Sequence, residues 1–310
     1  MKYLAKRPWL GPCVALMVVY GAFALLAPET FTGWANLSTM ARQTAVVAIT
    51  SLGMTFVILL GGIDLSVGSA VALAGVVVAR ALQSGMGAWS AALAGLLAAT
   101  AAGLVNGLLI ARGKITPFIV TLGTMGVLRG VAKGLAGEQK IDAPPRGLEH
   151  LMNASTATAL PAGIWLAVAL AVLAALTLQF TVFGRQVVAI GSNANTARLC
   201  GVPVERVVVS VYALSALLTG VAGVLEFSTL TVGDPTDAMG LELEAIAAVV
   251  IGGGSLAGGQ GSIAGAMIGA LLMTVIKTGC THVGVPNWVQ EISTGVIIVV
   301  AVGIDRLRRR

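Results

Sequence analysis

The chain has 310 residues, of which 57% are hydrophobic and only 10% charged. Soluble domains carry about 25% charged residues, so this composition excludes a water-soluble globule and places the chain in a lipid bilayer. The net charge of +6 is a topological signal through its distribution along the chain, and it gives no reason to invoke nucleic acid.

A spanning helix needs about 20 mostly apolar residues. Basic residues 1–7 lead into a first apolar run at 9–27. This opening has the outline of a signal peptide, but Pro28-Glu29 lacks a small-residue cleavage pattern, so it reads as a retained first span. Further spans are expected at 44–61, 67–83, 88–110, 117–134, 161–181, 207–228, 242–254, 262–279 and 288–304. The eighth is short and glycine-ended. Forty glycines, several at four-residue spacing (Gly103 and Gly107; Gly126, Gly130 and Gly134; Gly261, Gly265 and Gly269), suit helices that pack backbone to backbone in lipid.

Between Thr44 and Ala111 the only charged residues are Asp64 and Arg80. Asp64 stands in LLGGIDLSVGSAVA, after Gly61 and Gly62 and before Gly68. An acid inside a membrane is a functional suspect, so a proton- or ion-coupled secondary transporter using Asp64 is one reading. With the N-terminus inside, however, the second span ends at Gly61–Gly62. Asp64 then lies near the cytoplasmic face, as the N-cap of the next helix with Leu65 to Val67 in its first turn.

Two connections are long and proline-marked, at 135–160 and 229–243. They suit an external docking surface or a solvated connection. The longest connection on the other side, residues 184–207, reads GRQVVAIGSNANTARLCGVPVERV. Ser192 or Asn193 can cap a helix, Gly201 can supply a left-handed end, and Pro203 prevents continuation. The helix between them has about two turns, too few to persist without a docking partner. Ala194 and Ala197 leave a low face on it, and Arg198 offers a charged contact.

With the N-terminus inside, the cytoplasmic stretches hold 12 of the 19 basic residues against Asp64, Glu205 and Asp305. The other seven bases, Arg129 among them, fall on or towards the outer side with ten acids. Cytoplasmic loops retain Lys and Arg, so both termini are expected in the cytoplasm. His150 and His282 fall in apparent loops, the three cysteines are far apart, and neither type has metal-ligand or disulfide spacing. No catalytic or metal site is expected, since an intramembrane acid pair or serine–histidine site would need a second acid or a histidine at depth.

Residues 184–207 also carry a resemblance. Ala189-Ile190-Gly191, Asn193, Ala197-Arg198-Leu199 and Gly201-Val202 are similar to the coupling region of permease subunits in the ribose-transport family of ABC importers. Gly61 to Ser69 (GGIDLSVGS), Thr116 to Gly130 (TPFIVTLGTMGVLRG) and Leu241 to Ser262 (LELEAIAAVVIGGGSLAGGQGS) resemble three further signatures, in the family's order. Gly254 and Gln260 depart from it, standing where threonine and a basic residue are usual. The resemblance implies one all-α integral membrane domain over 1–310, with about ten transmembrane helices and the cobalamin-importer type of fold, in a bacterial inner membrane. It implies a second permease subunit, identical or paralogous, a cytoplasmic ATPase and a periplasmic or lipoprotein sugar-binding protein. The chain has no Gly-x-x-x-x-Gly-Lys-Ser/Thr loop, so ATP and Mg²⁺ belong to that ATPase and this chain needs no cofactor. Gly191, Asn193, Ala197, Arg198, Leu199 and Gly201 are then the coupling-helix candidates. For the sugar path the candidates are Asn106, Thr121, Thr124, Gly252, Gly253, Gly254 and Ser255, because hydrogen-bonding groups and glycine-broken spans at matching places mark transport sites.

Overall fold

The computed structural model describes residues 10–153 and 160–308. The basic residues Lys2, Lys6, Arg7, Arg309 and Arg310, which contribute to the expected sidedness, lie outside the described residues.

The architecture is all-α. In chain order the helices are α1 (Leu10–Leu26), α2 (Pro28–Phe31), α3 (Trp34–Leu59), α4 (Val67–Gln83), α5 (Ala88–Ala111) and α6 (Pro117–Ala136). They continue with α7 (Ala162–Phe180), α8 (Val182–Ser192), α9 (Ala194–Leu199), α10 (Val204–Leu230), α11 (Leu241–Ile251), α12 (Ile263–His282) and α13 (Asn287–Arg308). Each expected span has a helix. Six of these (α3, α5, α6, α7, α10 and α12) are long and apolar enough to cross a bilayer, and α1, α4 and the apolar part of α13 are shorter.

The elements begin and end where local chemistry dictates. Pro117 opens α6 at a position where its missing N–H costs nothing, and Gly137, with φ +64°, closes it. Thr181 accepts from the Gly184 N–H at 3.1 Å, separating α7 from α8. Ser262 accepts from the Gly265 N–H at 3.2 Å and starts α12.

The core is built on close backbone approach. Gly103 and Gly107 of α5 lie against Tyr212, Ala216 and Val209 of α10, and Gly265 and Gly269 of α12 lie on the backbone of Gly252 and Ala248. By contrast, Gly126, Gly130 and Gly134 of α6 face open space. Buried α3 forms the middle of the bundle, with Ala45 to Leu59 buried throughout. It begins ten residues before the expected span. Its polar start is hidden from hydropathy but satisfied in the fold, since Asn36 meets His282 at 2.9 Å and Gln43 accepts from Thr278 at 3.3 Å.

Helix alternation gives the bundle two ends. At one, β1 (Ile141–Asp142) pairs antiparallel with β2 (Val232–Gly233), and Lys140 meets Asp234 at 3.1 Å. Arg146 also donates to the carbonyls of Gly85 and Met86. The two long connections expected on one side are therefore strapped together; we call this the hairpin end. The 60–66 corner, α9 and the 252–262 loop occupy the opposite, junction end.

The eighth span departs from expectation. Helix α11 has 11 residues, about 16 Å at 1.5 Å per residue, half of the ~30 Å hydrocarbon thickness. The other half is non-helical: β2 passes into a run of turns over residues 235–240. Gly233 lies beside Val76 and Ala79, whereas the Ala238 carbonyl lies over Gly68, so residues 233–238 run down α4 towards the junction end. A Cβ at Gly68 would land on that carbonyl and on the Glu242 carboxylate. Hydropathy underestimates this crossing because half of it carries Asp234, Pro235 and Asp237.

Candidate coupling junction and its support

Non-helical backbone inside a bilayer needs partners for its polar groups. Arg129 supplies them. It lies twelve residues into α6, about 18 Å along the axis, and donates to the Pro235 carbonyl at 2.8 Å and the Asp237 carbonyl at 2.6 Å. Sequence reading placed Arg129 only on or towards the outer side; its signal was an arginine within an apolar run whose other charge, Lys133, lies in the last turn. Asp234 folds the start of the same segment by accepting from the Thr236 N–H at 2.8 Å and hydroxyl at 2.7 Å.

At the junction end three glycine-marked motifs converge. The Gly259 N–H donates to the Leu59 carbonyl at 2.9 Å, joining the 252–262 loop to the end of α3. Gly191, near the end of α8, sits in the same contact: a Cβ there would coincide with the Leu59 carbonyl oxygen and lie 2.7 Å from the Gly259 nitrogen. Gly258 in turn approaches Gly191 and Gly61. The matching breaks GGIDLSVGS and GGGSLAGGQGS thus meet one another at Gly61 and Gly258, and the second, together with Leu59, touches the segment that carries α9.

Helix α9 is capped as its sequence implies. Asn193 accepts from the Thr196 N–H at 2.9 Å. Gly201, at φ +81°, donates to the Arg198 carbonyl at 3.0 Å, and Val202 donates to Ala197 at 3.0 Å. That left-handed turn closes the helix. With six residues it has fewer than the two turns expected. Ala197 is buried in the core cluster shared with Val187, Ile190 and Val207, so it anchors α9 and does not offer the low contact face read from sequence. The free face carries Leu199, 89% exposed, with Arg198 and Cys200 beside it.

The Asp64 corner also differs from its expected form. The N-cap of α4 is Ser66, whose side chain makes no capping bond. Asp64 lies two residues earlier and accepts from the Ser66 N–H at 2.9 Å and the Ser66 hydroxyl at 2.6 Å. Helix α4 starts at Val67, two residues later than an Asp64 cap requires, because the carboxylate closes a tight turn on Ser66. Asp64 is buried, inside the corner and away from any surface.

The residues considered for the path lie around this corner. Asn106 donates to the Ser66 hydroxyl at 3.0 Å, and Thr121 donates to the Ile63 carbonyl at 3.1 Å. Thr124 donates to the Thr121 carbonyl at 3.2 Å. Gly252, Gly253 and Gly254 close α11 with bonds to Ala248, Val250 and Val249. Ser255, also buried, pairs with Gln260 across the next turn. Asn106 and Thr121 thus bond into the corner and Ser255 within the loop, whereas Thr124 and the three glycines bond to the helices they belong to or close. Gly62, where a Cβ would meet the Tyr212 hydroxyl, completes the set.

A profile of the family described as the permease component of a branched-chain amino acid transport system matches residues 36–302. The chain belongs to this permease family. The ribose import permease RbsC of Escherichia coli (strain K12) is 37% identical to the permease over 314 residues, covering 99% of this chain and 97% of its own. RbsC of Bacillus subtilis (strain 168) is 38% identical over 298 residues, covering 96% and 92%. The L-arabinose permease AraH of Azospirillum brasilense is 35% identical over 300 residues, covering 96% and 88%. No solved structure matches the permease. The family description names amino acids whereas these near full-length relatives name sugars, so the family assigns a multi-pass transport component, and not an enzyme, more broadly than a solute.

Proposed function

We propose that this permease is the membrane subunit of an ATP-driven importer that carries a monosaccharide across the bacterial inner membrane. The observation that carries the proposal is the junction: α9 projects an exposed Leu199 and Arg198 while its own segment, through Gly191, abuts the end of α3 and the 252–262 loop. A helix of six residues has no stability alone, so its capping and anchoring suit a surface that receives force. A push on α9 would reach α3 and the α11–α12 loop through backbone contact, with no compressible side chain between them.

The partners are a cytoplasmic ATPase that binds ATP and Mg²⁺, a second permease subunit, and a sugar-binding protein at the hairpin end. The junction end then faces the cytoplasm with both termini, consistent with the basic bias of residues 112–114, 185, 198 and 206. A monosaccharide is favoured as solute by the ribose and arabinose relatives.

Co-purification with the ATPase subunit tests the docking role. Leu199→Asp should abolish it while leaving the permease extractable and monodisperse. Retention of the ATPase by Leu199→Asp at the original yield would contradict the proposal.

A further inference from the structure

Towards the hairpin end, a cavity of about 350 Å³ lies between α3, α10, α11, α12 and the turns over residues 235–240. Its polar wall is formed by Gln43, Glu226, Thr236, Asp237, Thr274 and Lys277. Val46, Val47 and Leu241 supply apolar surface. The Lys277–Glu244 ion pair, at 2.8 Å, is one side of the cavity and separates it from a neighbouring space of about 480 Å³. None of these side chains belongs to the junction.

Several of the polar groups retain hydrogen-bonding capacity. Gln43 uses its amide oxygen on Thr278, leaving its N–H donors. Thr274 and Thr236 donate to Ala270 and Asp234, leaving hydroxyl lone pairs as acceptors. Glu226, half-buried in α10, has no hydrogen bond or ion pair among the described residues. Donors and acceptors interleaved with an apolar wall suit a ring with hydroxyls at its edge and C–H groups on its face. The volume is at the lower end of the ~300–1,000 Å³ common for small-molecule sites, matching one ring. Three carboxylates against one ammonium disfavour an anion.

We propose that this cavity is the station at which a single neutral polyhydroxylated solute is held during transport, with Glu226 as its principal hydroxyl acceptor. This rests on the importer reading and adds the place and the residues. The Lys277–Glu244 pair fixes one wall, and the turn segment held by Arg129 positions Thr236 and Asp237.

The test is import of radiolabelled D-ribose and L-arabinose by the complete complex in proteoliposomes, scored as sugar imported per ATP hydrolysed. Glu226→Leu should lower this ratio at least ten-fold, Glu226→Gln should restore part of it, and Thr274→Val should lower it about three-fold or more. If Glu226→Leu does not assemble, Thr274→Val decides on the same criterion. Unchanged ratios in assembled variants would overturn the cavity assignment while leaving the importer intact. Absence of ATP-dependent uptake of either sugar by the unsubstituted complex would overturn the importer reading and this proposal with it.

Discussion

Gly191 is the residue on which the junction closes most tightly. Any side chain there meets the Leu59 carbonyl, and overpacking of this kind costs about 1–3 kcal/mol, more against rigid backbone. Gly191→Ala should therefore lower folded yield and melting temperature, read by size-exclusion profile and thermal unfolding in detergent. Asp64 gives a second test at this scale. Asparagine can still accept from the Ser66 N–H, whereas alanine leaves that buried donor and the hydroxyl unpaired, at about 1–3 kcal/mol. Asp64→Asn should keep most transport and Asp64→Ala should lose folded protein. Loss of transport in well-folded Asp64→Asn would instead implicate the charge, as in an ion-coupled carrier.

Helix α9 was legible because capping is local: Asn193, Gly201 and Pro203 act within a few residues of the chain they shape. The inward face of Ala197 was not, because its neighbours come from α8 and α10. The two faces predict opposite outcomes. Ala197→Leu should reduce folded yield, whereas Leu199→Ala should leave thermal unfolding unchanged and weaken ATPase binding. The non-helical half of the eighth crossing was less legible still. Arg129 bonds to carbonyls 106 and 108 residues away, and periodicity has no access to such pairing. Asp234 also pairs with Lys140 across the two strapped connections, so Asp234→Asn should loosen the hairpin end and raise protease cleavage within residues 137–153.

For the whole molecule, the order of apolar runs and the class of protein followed from composition, since a bilayer demands long apolar helices. The convergence of the three glycine motifs did not, because it depends on how α3, α8 and α11 pack. That convergence is what links α9 to the bundle interior, and energy from a partner is the claim it supports. Uptake of labelled ribose and arabinose into proteoliposomes, with the sugar-binding protein outside and the ATPase subunit bound, measures that claim most directly. Uptake should require ATP and vanish when the ATPase subunit is omitted. Accumulation driven by a proton gradient in the absence of the ATPase would contradict it.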